Sequence, residues 1–114
     1  MGIKENNMSK EYNPERWEII GDGKRFKVFG SWAGGYLGSD SWRLSSGLQK
    51  IEEDPADKDF YLMHNYSGSI YRCHKKGGGI TGGYNYGVLS NFLEKAEDAK
   101  TFTVEEFNEL YKPE

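Results

Sequence analysis

Glycine is the residue that most constrains the fold of this chain, because fifteen glycines occur within only 114 residues. Glycine weakens the interior of a helix and is common in turns, bulges and tight bends. Its abundance therefore favours β-structure with many turns over a helical bundle, and the length fits a single domain. Three Trp, eight Tyr and six Phe supply much of the large apolar surface, so we expect an aromatic core with few aliphatic residues.

Charge and cysteine content narrow the classes of function. The formal net charge is −3, which disfavours nucleic acids and anionic membranes as the main partners. The single cysteine excludes an internal disulfide, and no apolar run reaches the ~20 residues that a membrane helix needs. We therefore expect a cytoplasmic protein with no membrane partner and no disulfide-linked partner, and the oligomeric state stays open.

Six short segments have the composition of β-strands. Aromatic and β-branched residues concentrate in them, and turn-type residues separate them. Residues 1–13 lack periodicity and are predicted to be a flexible N-terminal arm, which leaves residues 14–114 as a single α+β domain. The predicted strands are 16–20, 24–29, 42–45, 48–51, 60–64 and 70–74, with a glycine-rich loop at 30–41 and an exposed acidic turn at 52–57.

Two helical patterns follow the predicted strands. Apolar residues at helical spacing predict a first helix over 86–97. Thr103 and Glu106 form a capping box at the start of a shorter second helix, which Pro113 ends. We therefore predict a small curved antiparallel sheet of five to six short strands with two C-terminal helices packed on one face. The residues expected to be buried are Trp17, Phe60, Leu62, Ile70, Leu89, Phe92 and Phe107.

A strand, a basic glycine loop at 77–83 and a helix start follow one another, an order that resembles an anion-binding site. Free N–H groups and the positive end of a helix dipole attract anions, and glycine lets a ligand approach the backbone. No named phosphate motif is present, because the lysines precede the glycines, and a plain connecting loop is the other interpretation. The candidate residues for binding an anion or nucleotide are Arg72, Lys75, Lys76, Gly78, Gly79, Thr81, Gly82, Gly83, Tyr84, Tyr86 and Trp32.

Conventional catalytic side chains are few. Cys73 and His74 are neighbours on one predicted strand, so their side chains point to opposite faces and cannot easily form a nucleophile–base pair. No ligand spacing predicts a metal site, and we predict no cofactor. His64 and His74 could both lie near the open end of a hairpin and act as acid and base on a phosphodiester. A metal-free nuclease or phosphodiesterase is therefore the alternative to a non-catalytic binding protein.

Two short motifs carry a resemblance to a group of viral proteins. They are Trp42-Arg43-Leu44-Ser45-Ser46-Gly47 and Ser67-Gly68-Ser69-Ile70-Tyr71-Arg72-Cys73. A strand of pattern W-R-L-x-S-G followed by one of pattern S-G-S-x-Y-x-C resembles the small accessory proteins of T-even-like phages. The resemblance implies a phage-encoded inhibitor of a host defence factor. Such an inhibitor would act by binding a host protein or by sequestering a nucleotide-like anion, and the resemblance assigns no role to any single residue.

Overall fold

The computed structural model describes residues 10–34, 40–80 and 83–113, which form two four-stranded sheets and two α-helices. The strands are β1 (Glu11–Tyr12), β2 (Arg16–Gly21), β3 (Phe26–Trp32), β4 (Ser41–Leu44), β5 (Leu48–Asp54), β6 (Asp57–Asn65), β7 (Ile70–His74) and β8 (Lys100–Phe102). The helices are α1 (Gly83–Lys95) and α2 (Val104–Leu110), and a 3₁₀ turn covers Lys75–Gly77. The predicted α+β class is confirmed, whereas the prediction of one sheet is wrong, because the strands divide between two sheets.

The first sheet has the order β1-β7-β6-β5, and the second sheet has the order β4-β3-β2-β8. All of these pairs are antiparallel except the parallel pair of β1 and β7. Both expected hairpins are present, since β2 pairs with β3 and β6 pairs with β7. The sequence does not predict β1 and β8, because strands of two and three residues show no readable alternation.

The N-terminal segment contributes to the first sheet. The predicted arm covers residues 1–13, of which residues 1–9 lie outside the described residues. Glu11 and Tyr12 form β1 opposite Ile70 and Tyr71, and the Ile70 amide donates a hydrogen bond of 2.8 Å to the carbonyl of Lys10. Ordered β-structure therefore begins before residue 14.

The main core combines side chains from both sheets and from α2. Phe26 illustrates its aromatic character, because its ring meets the rings of Phe102 and Phe107 edge to face at 5.0 Å each. Its buried members are Trp17, Ile19, Phe26, Val28, Leu48, Met63, Tyr71, Cys73, Phe102, Val104 and Phe107. Aromatic side chains thus fill much of the space between the sheets, as the composition predicts.

A second, smaller cluster covers the other face of β2 and β3. Ile20 and Phe29 point away from the main core, and Ile80 and Leu89 pack against them. Leu89 belongs to α1, whereas α2 contributes Phe107 to the main core. The prediction that both helices pack on one face is therefore wrong, because Ile20 and Phe29 form an apolar patch on the second face of β2 and β3 that needs its own cover.

The prediction of which side chains of β6 and β7 are buried is wrong, because the buried positions are shifted by one residue along each strand. Trp17, Leu89 and Phe107 are buried as expected. The other four expected core residues, Phe60, Leu62, Ile70 and Phe92, are only partly buried. Consecutive residues of a strand face opposite sides, so the burial of the odd-numbered residues of β6 and β7 turns the even-numbered ones outward. Residues 60–63 are all apolar, and alternation therefore does not reveal which face is buried.

The bounds of several elements differ from the prediction. The acidic turn reduces to Pro55 and Ala56, because the residues on either side belong to β5 and β6. Part of the predicted loop at 30–41 extends β3 to Trp32, and residues 35–39 lie outside the described residues. The capping box of Thr103 and Glu106 is confirmed at α2. Neither described helix has the length and hydropathy of a membrane span.

Candidate functional site

A polar pocket of about 430 Å³ lies where β4 of the second sheet approaches β1 and β7 of the first sheet. We call it the serine pocket. It is lined by Lys10, Tyr12, Arg43, Leu44, Ser45, Ser46, Ser67, Ser69 and Tyr71. Its volume falls in the range typical of small-molecule sites. The two sequence motifs at 42–47 and 67–73, which are far apart in the chain, supply seven of these nine residues.

Gly30 allows the two motifs to meet. It lies directly opposite Arg43 in the pairing of β3 with β4. A Cβ atom at Gly30 would lie 3.0 Å from the Cβ of Pro14 and 3.3 Å from the Cε2 of Tyr71. Both distances are tighter than normal packing, so only glycine lets the Tyr71 ring approach the second sheet at this point. The close approach places Tyr71 and Arg43 at the same pocket.

Arg43 and two tyrosines form the aromatic wall of the serine pocket. The guanidinium carbon of Arg43 lies 4.4 Å from the centroid of the Tyr12 ring, a cation–π arrangement. The Tyr12 and Tyr71 ring centroids are 5.1 Å apart. Burial raises the pKa of Tyr71 to about 12, although the Arg43 charge acts in the opposite direction. The Tyr71 phenol therefore stays protonated at neutral pH and can donate a hydrogen bond.

Serine hydroxyls form the opposite wall and connect two turns of the chain. The Ser46 hydroxyl donates to the Ser67 hydroxyl at 3.0 Å, and the Ser67 hydroxyl donates to that of Ser69 at 3.3 Å. The Ser67 amide also donates to the Ser46 hydroxyl. Ser45 differs from these three, because it is buried and its hydroxyl accepts a hydrogen bond from the Val28 amide. Ser46, Ser67 and Ser69 thus offer hydroxyls to a ligand, whereas Ser45 stabilises the fold.

The electrostatics of the serine pocket favour an anion. Lys10 and Arg43 are its charged lining residues, and no carboxylate lines it within the described part of the chain. Neither cation forms an ion pair with another residue that the structure describes. Two positive charges that form no ion pair with a described residue favour a positive potential at this pocket in an otherwise acidic protein.

The predicted glycine loop is bound to β2. The Gly79 amide donates to the Trp17 carbonyl at 2.7 Å, and Gly78 forms a parallel bridge with Trp17. The Arg16 guanidinium donates to the carbonyls of both Gly78 and Gly79 at 2.8 Å. These backbone groups are therefore engaged within the protein, and the Gly79 N–H is directed to a carbonyl rather than to an open ligand site.

The cations of the predicted site have carboxylate partners. The Lys75 ammonium lies 2.6 Å from a Glu53 carboxylate oxygen, and Arg72 Nε lies 2.7 Å from an Asp54 oxygen. These hydrogen bonds raise the pKa of Lys75 and of Arg72. Lys76 is exposed. Lys75 and Arg72 are thus largely neutralised by the β5 carboxylates, which weakens their attraction for a ligand anion.

The start of α1 carries the remaining loop residues. Gly83 begins the helix, and an Asp40 carboxylate oxygen lies 3.7 Å from the position that a Cβ of Gly83 would take. This negative charge beside the first helical residue disfavours an anion there. Tyr84 and Tyr86 are 63% and 50% exposed. Residues two positions apart along a helix point about 200° away from each other, so these two side chains leave α1 on nearly opposite sides. The loop residues Thr81 and Gly82 lie outside the described residues.

Trp32, unlike the loop residues, lies beside the serine pocket. It ends β3, two residues after Gly30 and on the same face of the sheet. Its indole Nε1 donates a hydrogen bond of 3.0 Å to the carbonyl of Asn13, the residue that follows Tyr12. The structure therefore separates the predicted site residues into the loop group and Trp32.

The two histidines do not come together. His64 lies opposite Ile70 next to the hairpin turn, whereas His74 lies opposite Phe60 at the open end. The four-residue offset corresponds to about 13 Å along the strands, so the prediction that both lie near the open end is wrong. The His64 ring is 2.7 Å from a carboxylate oxygen of Glu52. One phosphodiester group cannot contact both imidazoles at this separation.

Cys73 and the acidic residues offer no further reactive centre in the described ranges. Cys73 is fully buried, and burial raises the pKa of its thiol, so it carries no reactive thiolate. Across residues 10–34, 40–80 and 83–113, no group of three or more His, Cys, Asp or Glu side chains is placed to hold a metal ion.

The sequence alone predicts no binding role for Lys10, Tyr12, Arg43 or the three ligand-facing serines. The two motifs at 42–47 and 67–73 are the sequence feature that points to these residues. The sequence shows that both motifs are present, but it does not show that they meet at one pocket. Neither a family model, nor a curated protein, nor a solved structure matches the chain. The candidate site therefore rests on its own geometry.

Proposed function

We propose that the protein is a small non-catalytic binding protein that holds a phosphate-type anion in the serine pocket. The observation that carries this proposal is the chemistry of the lining: two cations, two phenols and three ligand-facing serine hydroxyls, with no lining carboxylate in the described part. Lys10, Arg43 and the Ser69 hydroxyl can donate hydrogen bonds to an anionic oxygen, and the Ser46 and Ser67 hydroxyls can do so by turning away from their serine partners. Arginine and hydroxyl donors together are suited to the several acceptor oxygens of a phosphate group.

Tyr12 strengthens the case for Arg43 as the main anion ligand. Its ring supports the guanidinium at 4.4 Å, which restricts the motion of a long side chain before any ligand arrives. An ordered guanidinium loses less conformational entropy on binding than a free one. Arg43 and Lys10 are nevertheless exposed, so we expect binding to weaken as the salt concentration rises.

The lining of the serine pocket supports binding rather than catalysis. A serine hydroxyl is a weak nucleophile unless a neighbouring general base activates it. Among the residues that the structure describes, no His, Cys, Asp or Glu lines the pocket. An anion held there would therefore be retained unchanged, which is the behaviour that sequestration requires.

The resemblance to phage accessory proteins gives this binding a biological role. Both motifs that carry the resemblance line the serine pocket. A phage-encoded protein that removes a phosphate-bearing signal from solution would inhibit the host pathway that depends on it. We propose this role for the protein, within the host cytoplasm.

Titration calorimetry with inorganic phosphate tests the binding site. We expect Arg43→Gln to weaken binding about 10- to 100-fold, since a hydrogen bond to a charged group contributes about 1.5–3 kcal/mol. Lys76→Gln is the matched control, because Lys76 is an exposed cation of the predicted glycine loop. The affinity of Lys76→Gln for phosphate should equal that of the parent protein. Loss of binding in Lys76→Gln with normal binding in Arg43→Gln would instead locate the anion at the loop.

A protein partner is the second candidate ligand, and the outer face of the first sheet favours it. Phe60, Leu62 and Ile70 are partly exposed there, and none of them belongs to either described core cluster. Arg72 lies 3.7 Å above the Phe60 ring, which adds a side chain that is common at the centre of interfaces. A pull-down from host lysate that Leu62→Lys abolishes and Arg43→Gln leaves intact would support this mode.

A further inference from the structure

We infer that the anion is a mononucleotide whose phosphate binds in the serine pocket and whose base stacks on Trp32. The inference rests on the proposed anion site, and it adds the second half of the ligand. Three features carry it: the position of Trp32 relative to Arg43, the anchoring of its ring, and the change of charge between the two residues.

The strand register places Trp32 next to the serine pocket. Trp32 pairs with Ser41, and Gly30 pairs with Arg43, so Trp32 and Arg43 are diagonal neighbours on one face of the second sheet. Such neighbours lie about 7–8 Å apart. This face is the one that Tyr71 approaches, because a Cβ at Gly30 would meet the Tyr71 ring. Pro14 and Tyr71 cover Gly30 on this face, whereas Ser41, two residues before Arg43 and opposite Trp32, is exposed, so a ligand held by Arg43 can extend along β4 to the indole.

The Trp32 ring is accessible and already oriented. The residue is partly exposed, and its Nε1 donates to the carbonyl of Asn13 at 3.0 Å. This hydrogen bond ties the indole to the segment that contributes Tyr12 to the pocket. Stacking on an indole that is already fixed costs little side-chain entropy. Aromatic rings of this kind hold nucleobases because every base presents a π-face.

The charge changes sign between the serine pocket and Trp32. A Glu15 carboxylate oxygen accepts a hydrogen bond from the Ala33 amide, and an Asp40 oxygen accepts one from the Gly34 amide. Both carboxylates thus lie beside the residues that follow Trp32. A chain of phosphates that extended from Arg43 would meet these negative charges. A base with exocyclic amino groups presents hydrogen-bond donors to these two carboxylates. The change from positive charge at the serine pocket to negative charge near Trp32 therefore favours a single phosphate joined to a base.

The test compares the affinities of AMP and inorganic phosphate by calorimetry in the full chain. The ratio of the two dissociation constants is the readout, because any general damage to the pocket weakens both ligands alike. We expect AMP to bind about 10- to 100-fold more tightly than phosphate in the parent protein. Trp32→Ala should bring the ratio close to 1, and Trp32→Phe should retain part of it. Trp42→Phe is the matched control, since Trp42 faces the other side of the sheet and stacks on Phe29 at 5.7 Å.

The outcomes separate the two proposals. Equal affinities of AMP and phosphate in the parent, or an unchanged ratio in Trp32→Ala, would overturn the nucleotide inference and leave the anion site in place. A ratio that falls equally in Trp42→Phe would also overturn it. Failure of both ligands to bind at millimolar concentration would overturn the anion site itself.

Discussion

Met63 and Leu62 are neighbours on β6, and truncating each in turn tests which face of the first sheet is buried. Met63 is fully buried in the main core, whereas Leu62 is only partly buried on the outer face. Met63→Ala removes apolar atoms from a packed interior and leaves a cavity. Leu62→Ala removes a similar number of atoms from a surface that solvent reaches, so no closed cavity forms.

The burial of the two side chains sets the size of the expected effects. Full burial of a methionine or leucine side chain contributes about 1.5–3 kcal/mol, and a residual cavity increases the loss on truncation to about 2–5 kcal/mol. We therefore expect Met63→Ala to lower the free energy of unfolding by about 3 kcal/mol. Leu62→Ala should cost about 1 kcal/mol, because it loses only part of the transfer contribution.

Urea denaturation followed by circular dichroism measures the difference. With a denaturant slope of about 1.5 kcal/mol/M for a domain of this size, the midpoint should fall by about 2 M in Met63→Ala and by about 0.7 M in Leu62→Ala. Equal midpoints, or a larger loss in Leu62→Ala, would show that β6 is turned the other way. The pairing that brings Tyr71 to the serine pocket would then be wrong as well.

Three further predictions concern a helix cap, an ion pair and the residues excluded from catalysis. Thr103→Ala should cost about 1 kcal/mol by removing the capping box of α2, and Thr101→Ala on β8 is the control whose melting temperature should change less. The hydrogen bond from Arg72 holds the pKa of Asp54 below its usual value of 3.8. The stability that this ion pair contributes is therefore present above about pH 4 and is lost as the pH falls through the folded-state pKa of Asp54. Urea midpoints measured between pH 5 and pH 2 should show this loss of stability, and the loss should be smaller in Asp54→Asn. Cys73→Ala and His64→Ala should leave phosphate affinity unchanged in calorimetry, and a selective loss of binding with an intact fold would contradict the assignment of the pocket.

The local features of the fold could be predicted because the chemistry that forms them is close in sequence. The hairpin of β2 and β3 turns where Gly23 has a φ of 97°, and the Asp22 carboxylate accepts hydrogen bonds from the amides of Lys24 and Arg25. The capping box at Thr103 needs only Glu106, three residues later. Each of these patterns specifies its own geometry without help from the rest of the chain.

The tertiary arrangement could not be predicted in the same way. Phe60, Tyr61, Leu62 and Met63 are all apolar, so the choice of the buried face depends on what packs against β6. The serine pocket depends on Gly30, whose missing Cβ lets Tyr71 approach the second sheet. The glycine loop has the composition of an anion site, but its Gly79 amide is engaged by β2 and the neighbouring Lys75 by β5. Composition reveals which groups are present and not which of them already have partners.

Mapping the phosphate site by amide NMR shows whether the serine pocket binds the anion. Inorganic phosphate is titrated into the uniformly ¹⁵N-labelled full chain, and shift changes are assigned to residues. We expect the largest shifts at Lys10, Tyr12, residues 43–46 and residues 67–71, and we expect these shifts to be lost in Arg43→Gln. Shifts confined to residues 72–86, or no shifts at millimolar phosphate, would contradict the claim that the serine pocket binds the anion.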